Sequence, residues 1–185
     1  MEVKQWKLVV LGAAFKRTPD GVRILTQRRK VQNQYQSYDP LYDQTWEGMG
    51  ERMEPGEDVI AALIRGFAEE CGHPQFQPIA IRGQEKITWW TTGKQDRYQC
   101  LEPFCFIHSM GPPQPWSGPA FIVEVASDFE PDLAEADGEA DDFRWWDPAE
   151  LQKALEEEPG RFMGLHIAVL HKLAAMLLSS EEDFS

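Results

Sequence analysis

The chain has 185 residues, 42% of them hydrophobic, which suits one globular domain spanning residues 1–185 around a substantial core. Its net charge of −13 comes without the basic patch that grips a nucleic-acid polymer, and no apolar run approaches membrane-spanning length. Three cysteines, Cys71, Cys100 and Cys105, neither form a disulfide framework nor complete a zinc site, and the N-terminal residues lack a signal-peptide pattern. Free thiols in a soluble, cytoplasmic protein are therefore expected.

In chain order, the apolar run 6–15 predicts a buried strand, and Thr18-Pro19-Asp20-Gly21 a turn. Residues 22–29 alternate as a second strand, which closes an opening hairpin. Residues 30–45, with Tyr35, Tyr38, Asp39-Pro40 and Tyr42, read as a long loop that either lies on the surface or covers a ligand. A helix is predicted over 57–71. Glu57 and Asp58 favour its first turn, Ile60, Leu63, Ile64 and Phe67 face the core, and Gly72 stops it. Strands follow at 77–82, 85–92, 97–108 and 119–126, with loops at 92–96 and 110–118. After the acidic stretch 128–142, Phe143–Trp146 reads as a short strand. Asp147 caps a helix that has Pro148 at its first position. A last helix over about 161–179 carries the stripe Phe162, Leu165, Val169, Leu173, Met176. The pattern is α+β, with a helix inserted among mainly antiparallel strands.

Residues 46–72 concentrate the chemistry. A glycine-punctuated loop with Glu51, Glu54 and Glu57 runs into a helix that ends Glu69-Glu70-Cys71-Gly72. Positions 66, 69 and 70 share a helix face, and neighbouring carboxylates repel unless a cation lies near them. Such a set suits a hard divalent cation and pyrophosphate chemistry. Arg65 is placed to pair with Glu57 or Glu69. A solvated acidic helix end is the competing reading.

This segment resembles the Nudix box, G-x5-E-x7-R-E-U-x-E-E-x-G-U, where U is a bulky apolar residue. Glu57, Arg65, Phe67, Glu69, Glu70 and Gly72 match it. The upstream Trp46-Glu47-Gly48-Met49-Gly50 is similar to the W-x-x-P-G-G approach of that family. Three positions depart: Glu51 stands for the first Gly, Gly66 for the Glu after Arg, and His73 for the final apolar residue.

The resemblance implies an α/β/α sandwich with a mixed, mainly antiparallel sheet and the box helix packed on it. It also implies hydrolysis of a nucleoside diphosphate linked to another moiety, with Mg2+ or Mn2+ as cofactor. Glu69 and Glu70 would hold metal, assisted by the Gly50 carbonyl and Glu54, while Glu57 and Arg65 fix loop to helix. In the family, the Glu missing at Gly66 binds metal or acts as base. Some members draw the base from a far-side loop, which points here to Glu139, Asp141 or Asp142, unless that loop is ordinary solvated charge. Glu51 leaning into the site is a lesser compensation. Trp46, Trp89, Trp90 and Trp116 either stack on a nucleobase or pack in the core. Of Arg28 and Arg29, strand alternation lets at most one face the site. His108, His166 and His171 show no metal-ligand spacing. The implied partner is a small nucleotide derivative, and a homodimer stays open. The alternative function, favoured by Gly66, is a Nudix-fold protein that binds such a ligand or a partner without cleaving it.

Overall fold

The computed structural model describes residues 7–31, 42–82, 88–90, 98–100, 102–109 and 116–181. The opening hairpin forms as the sequence predicts. Strand β1 (Lys7–Thr18) turns at Pro19-Asp20 into β2 (Gly21–Arg29), with Thr18 opposite Gly21, whose φ of 113° suits a residue without a Cβ. β1 is apolar from Val9 to Phe15, where both its faces are covered. Val9, Leu11, Ala13 and Phe15 enter one core, while Val10 and Ala14 enter the other.

Around β1 the chain assembles β3 (Trp46–Glu47), β4 (Met49–Arg52), β5 (Ala80–Arg82), β8 (Cys105–His108), β9 (Trp116–Val125) and β10 (Ala140–Trp146). The central order is β10-β2-β1-β9-β5, with β3 added to β2, β4 to β1 and β8 to β9. Among the described strand pairs of this sheet only β1–β9 is parallel, so the sheet is mixed and mainly antiparallel. β6 (Thr88–Trp90) and β7 (Tyr98–Cys100) form a separate antiparallel pair, and the loop expected at 92–96 lies outside the described residues. Most of the loop expected over 30–45, including Tyr35 and Tyr38, lies outside them too.

Helix α1 (Val59–Glu70) covers one face of the sheet. Helices α2 (Pro148–Glu157) and α3 (Gly164–Glu181) cover the other. The α/β/α sandwich is therefore present. α1 starts two residues later than its sequence pattern suggested because Asp58 is its N-cap, accepting from the N–H groups of Ile60 and Ala61. Asp147 caps α2 in the same way, with Pro148 following. α3 begins at Gly164, after a 3-10 turn at Pro159–Arg161, so Phe162 reaches the core from the approach rather than from the helix. The buried face of α3 is Val169, Leu170, Leu173, Ala174 and Leu177, while Leu165 and Met176 pack at its margin.

β9 starts at Trp116, three residues before the predicted strand. Gly118 permits this: a Cβ there would lie 1.6 Å from the Val9 carbonyl oxygen, so only glycine lets the parallel strands approach. Gly12 plays a similar part beneath α1, where an added Cβ would fall 2.3 Å from the Phe67 ring. Cys71 is buried and Cys105 half-buried, both as free thiols. Among the described residues no helix is long and apolar enough to cross a membrane.

Candidate active site

The end of α1, the β3–β4 segment, the last residues of β2 and the stretch before β10 meet around a cleft of about 530 Å³. Six carboxylates line it, from Glu51, Glu54, Glu69, Glu70, Asp137 and Glu139, against three guanidinium groups, from Arg29, Arg52 and Arg65. Val9, Leu11, Trp116, Met163 and Leu165 supply its apolar lining.

α1 delivers Glu69 and Glu70 to different environments, because adjacent helical residues diverge by about 100°. Glu69 is half exposed, with Oε2 3.7 Å from Arg65 Nη1. Glu70 is buried, accepting from Gln27 Nε2 at 2.5 Å and from the Gly50 N–H at 3.2 Å. Burial, and then the carboxylates of Glu47, Asp137 and Glu139, push its pKa well above the usual carboxylate range. Gly50 has little room for a side chain: an added Cβ would lie 2.9 Å from Leu11 Cδ2 and 3.3 Å from His166 Cε1.

Arg65 ties the loop to the helix. Its Nε and Nη2 each reach Glu57 at 3.0 Å, Nη2 also donates to the Arg52 carbonyl at 3.0 Å, and Nη1 lies 3.2 Å from Glu51 Oε2. The Arg65 bond lowers the pKa of Glu57. Glu57 does not line the cleft, so its place is structural, in the lock. Glu54 lines the cleft, and its N–H donates to Glu57 Oε2 at 2.9 Å.

Beneath the carboxylates lies a buried polar layer that sequence reasoning missed. Glu47 pairs with Arg29 Nε at 2.8 Å, and Gln27 links Glu47 to Glu70. His166, at the start of α3, lies 3.7 Å from Glu47 Oε2 and lines the cleft. Burial, followed by the Arg29 charge, lowers the His166 pKa to about 3, so its imidazole is neutral. Glu47 does not reverse this, because burial disfavours its charged form too and raises its pKa. Residues 22–29 read as an alternating strand, but the sequence pattern did not mark Gln27, Arg29 or Glu47 as buried. The partners come from three distant segments, and no spacing rule reports that.

Strand alternation sends Arg29 into the cleft and Arg28 outward to Asp141, at 2.7 Å. The acidic stretch before β10 is docked by the end of α1. The Asp132 N–H donates to the Cys71 carbonyl and the Asp137 N–H to that of Glu69. Gly72, at φ 69°, admits the close approach: a Cβ there would lie 2.3 Å from the Asp132 carbonyl oxygen. Glu139 thereby enters the cleft, half-buried, with its pKa raised chiefly by burial. Asp142 does not. The ladder to β2 is irregular between Ala140 and Asp142, and Asp142 lies outside the cleft, 4.0 Å from Arg28. Of the three base candidates, Glu139, Asp141 and Asp142, Glu139 alone lines the cleft, which corrects the candidacy of Asp142. Trp46 is a core residue, edge-on to Trp146 with centroids 6.1 Å apart. Trp116 is the tryptophan that lines the cleft, and the side chains of Trp89 and Trp90 lie outside the described residues. His171 pairs with Glu156, and His108 contacts Ser117, both away from the cleft.

The donors are hard oxygen atoms, the kind that Mg2+ and Mn2+ select. Among the described residues, no three Asp, Glu, His or Cys side chains are already gathered as a coordination set. Arg65 stands between Glu51 and Glu69, and both carboxylates sit on flexible stems that can turn from it. The residues therefore fit a divalent cation in chemistry and in excess negative charge.

A family model described as the NUDIX domain matches residues 9–164, well over half of the chain. The chain belongs to the Nudix family. No curated protein sequence matches it significantly. Among solved structures, it is similar to the NUDIX domain of Shewanella oneidensis NrtR complexed with ADP ribose, at 15% identity and TM-score 0.61, covering 95% of this chain and 90% of that one. It is also similar to a MutT protein from Methanosarcina mazei Go1, at 15% identity and TM-score 0.57, covering 95% and 97%. A C. elegans Ap4A hydrolase binary complex gives 18% identity and TM-score 0.52, covering 94% and 98%. At these identities the likeness shows the fold.

Proposed function

We propose that this protein is a metal-dependent pyrophosphohydrolase that cleaves a nucleoside diphosphate linked to another moiety. The observation that carries this reading is the cleft itself: six carboxylates, among them the buried Glu70, at the end of the Nudix box helix. Three guanidinium groups do not offset them, so an anionic pyrophosphate would be repelled unless cations entered with it. Glu69 and Glu70 would hold Mg2+ or Mn2+, with Glu54 and the Gly50 carbonyl assisting. When bound, such a cation neutralises pyrophosphate oxygens and polarises the attacked phosphorus.

The residues of the chain divide the remaining work. Arg52, exposed at the cleft edge, offers a guanidinium to phosphate oxygens. Trp116 with Val9, Leu11, Met163 and Leu165 gives an apolar wall for a flat organic group. Glu139 is the candidate base, because it lines the cleft and burial raises its pKa above the ordinary carboxylate value, which makes it a stronger proton acceptor. Gln27 and the Gly50 N–H hold the Glu70 carboxylate in one orientation.

The test is product analysis by anion-exchange chromatography. The protein is incubated with Mg2+ or Mn2+ and a panel of nucleoside triphosphates, sugar nucleotides, dinucleotide cofactors, ADP-ribose and a dinucleoside polyphosphate, with and without chelator. Chelator-sensitive cleavage at a pyrophosphate bond supports the proposal. Gly66 favours a second reading, in which the ligand binds and is not cleaved. Saturable binding by calorimetry, with no product from any compound, would select it.

A further inference from the structure

Two of the departures from the box face each other. Glu51 occupies the position of a box glycine on β4, and Gly66 occupies that of a box glutamate on α1. A Cβ built on Gly66 would lie 2.6 Å from Glu51 Cβ and 3.3 Å from its Cγ. The near contact is to the first carbon of the side chain, which a rotamer change cannot move, so positions 51 and 66 compete for one volume. Glu51 Oε2 lies 3.7 Å from that same built Cβ, about the distance at which the carboxylate of a glutamate stands from its own Cβ. Its carboxylate oxygen thus lies within the reach of a glutamate grown from position 66.

The surroundings of Glu51 agree. It is half-buried and lines the cleft with Glu69 and Glu70. Its Oε1 accepts from the Arg52 N–H at 2.6 Å, and Oε2 lies 3.2 Å from Arg65 Nη1, the atom that also meets Glu69 at 3.7 Å. A glycine inside α1 weakens the helix, and here the missing side chain is what admits Glu51.

We propose that Glu51 supplies from β4 the carboxylate that α1 lacks at Gly66, and that it ligates the same divalent cation as Glu69 and Glu70. This rests on the cation assigned to the cleft under the proposed function. The two exchanged positions then amount to one group moved from helix to strand, and Gly66 is a condition of the site rather than a lesion in it.

The experiment is Mn2+ binding to the full chain without substrate, followed by calorimetry and by the electron paramagnetic resonance of free Mn2+. Three variants are compared with the wild type: Glu51→Gln, Glu70→Gln, and the exchange Glu51→Gly with Gly66→Glu. Glu51→Gln keeps the shape of the side chain and should fold, yet bind Mn2+ at least tenfold more weakly. The exchange variant should recover affinity to within about threefold of wild type, whereas Gly66→Glu alone should lower Tm by crowding Glu51. Wild-type affinity in Glu51→Gln, with Glu70→Gln impaired, overturns the role of Glu51 and leaves the proposed function standing. Absence of Mn2+ binding by the wild type overturns both.

Discussion

Arg65→Lys keeps the positive charge at the loop-helix lock and removes the planar fork. In the structure that fork makes two 3.0 Å bonds to Glu57 and one to the Arg52 carbonyl. An ammonium can replace one of the three with comparable geometry. Sheltered bonds to charged groups are worth about 1.5–3 kcal/mol each. The Arg65 side chain is 30% exposed and that of Glu57 16%, so water recovers part of the loss. A destabilisation of about 2 kcal/mol follows, which for a chain of this size lowers Tm by roughly 4–8 °C. The pH dependence carries a sign. Arg65 depresses the Glu57 pKa below its ordinary 4.5, so this stabilisation is present above that pH and is lost as pH falls through the lower folded value. The assay is thermal unfolding of wild type and Arg65→Lys across the acid range, with Mn2+ binding followed in parallel. The gap in Tm should be widest near neutrality and close in acid. A variant that melts within about a degree of wild type at neutral pH would refute the lock.

His166 is buried with its pKa lowered from 6.5 to about 3, so the unfolded chain binds the extra proton first. Stability should therefore fall as pH drops below about 6.5, by about 5 kcal/mol at most at 1.36 kcal/mol per pKa unit. Urea unfolding of His166→Gln should show a flatter acid limb than wild type, and equal slopes would contradict the neutral imidazole. Gly72→Ala would force a Cβ to 2.3 Å from the Asp132 carbonyl at a φ of 69°. It should cost more than about 1 kcal/mol in urea unfolding, speed amide hydrogen exchange at Asp137, and weaken Mn2+ binding by undocking the acidic stretch. Unchanged exchange there would show that the docking does not depend on Gly72.

The sequence carried the parts of this site that are local. Glu57, Arg65, Glu69 and Glu70 are related by loop and helix spacing alone, and the structure places them as that spacing implies. Asp58 and Asp147 were expected near their helix starts and serve as the caps there. What was hidden depends on register between distant segments. Glu139 and Asp142 looked equivalent until the irregular ladder beside Arg28 sent one into the cleft and the other away. His166 showed only the absence of a metal-ligand spacing, because the buried layer it joins is built from β2, β3 and the start of α3. Gly66 looked like a missing carboxylate, since only the packing of β4 on α1 shows Glu51 against it. Trp46 and Trp116 differ for a similar reason. One is walled in by Trp146 and Phe162, and the other stands at the start of a strand whose early beginning needed Gly118.

The central claim is that a cation held at Glu69 and Glu70 drives cleavage of a pyrophosphate bond. It is tested most directly by measuring turnover against Mn2+ concentration for wild type and Glu70→Gln, on whichever panel compound is cleaved. The account predicts saturable Mn2+ dependence in the wild type and a rate at least a hundredfold lower in Glu70→Gln, with the fold intact by circular dichroism, corresponding to about 2.7 kcal/mol or more of lost transition-state stabilisation. Wild-type turnover in Glu70→Gln, or turnover indifferent to chelator, would contradict it.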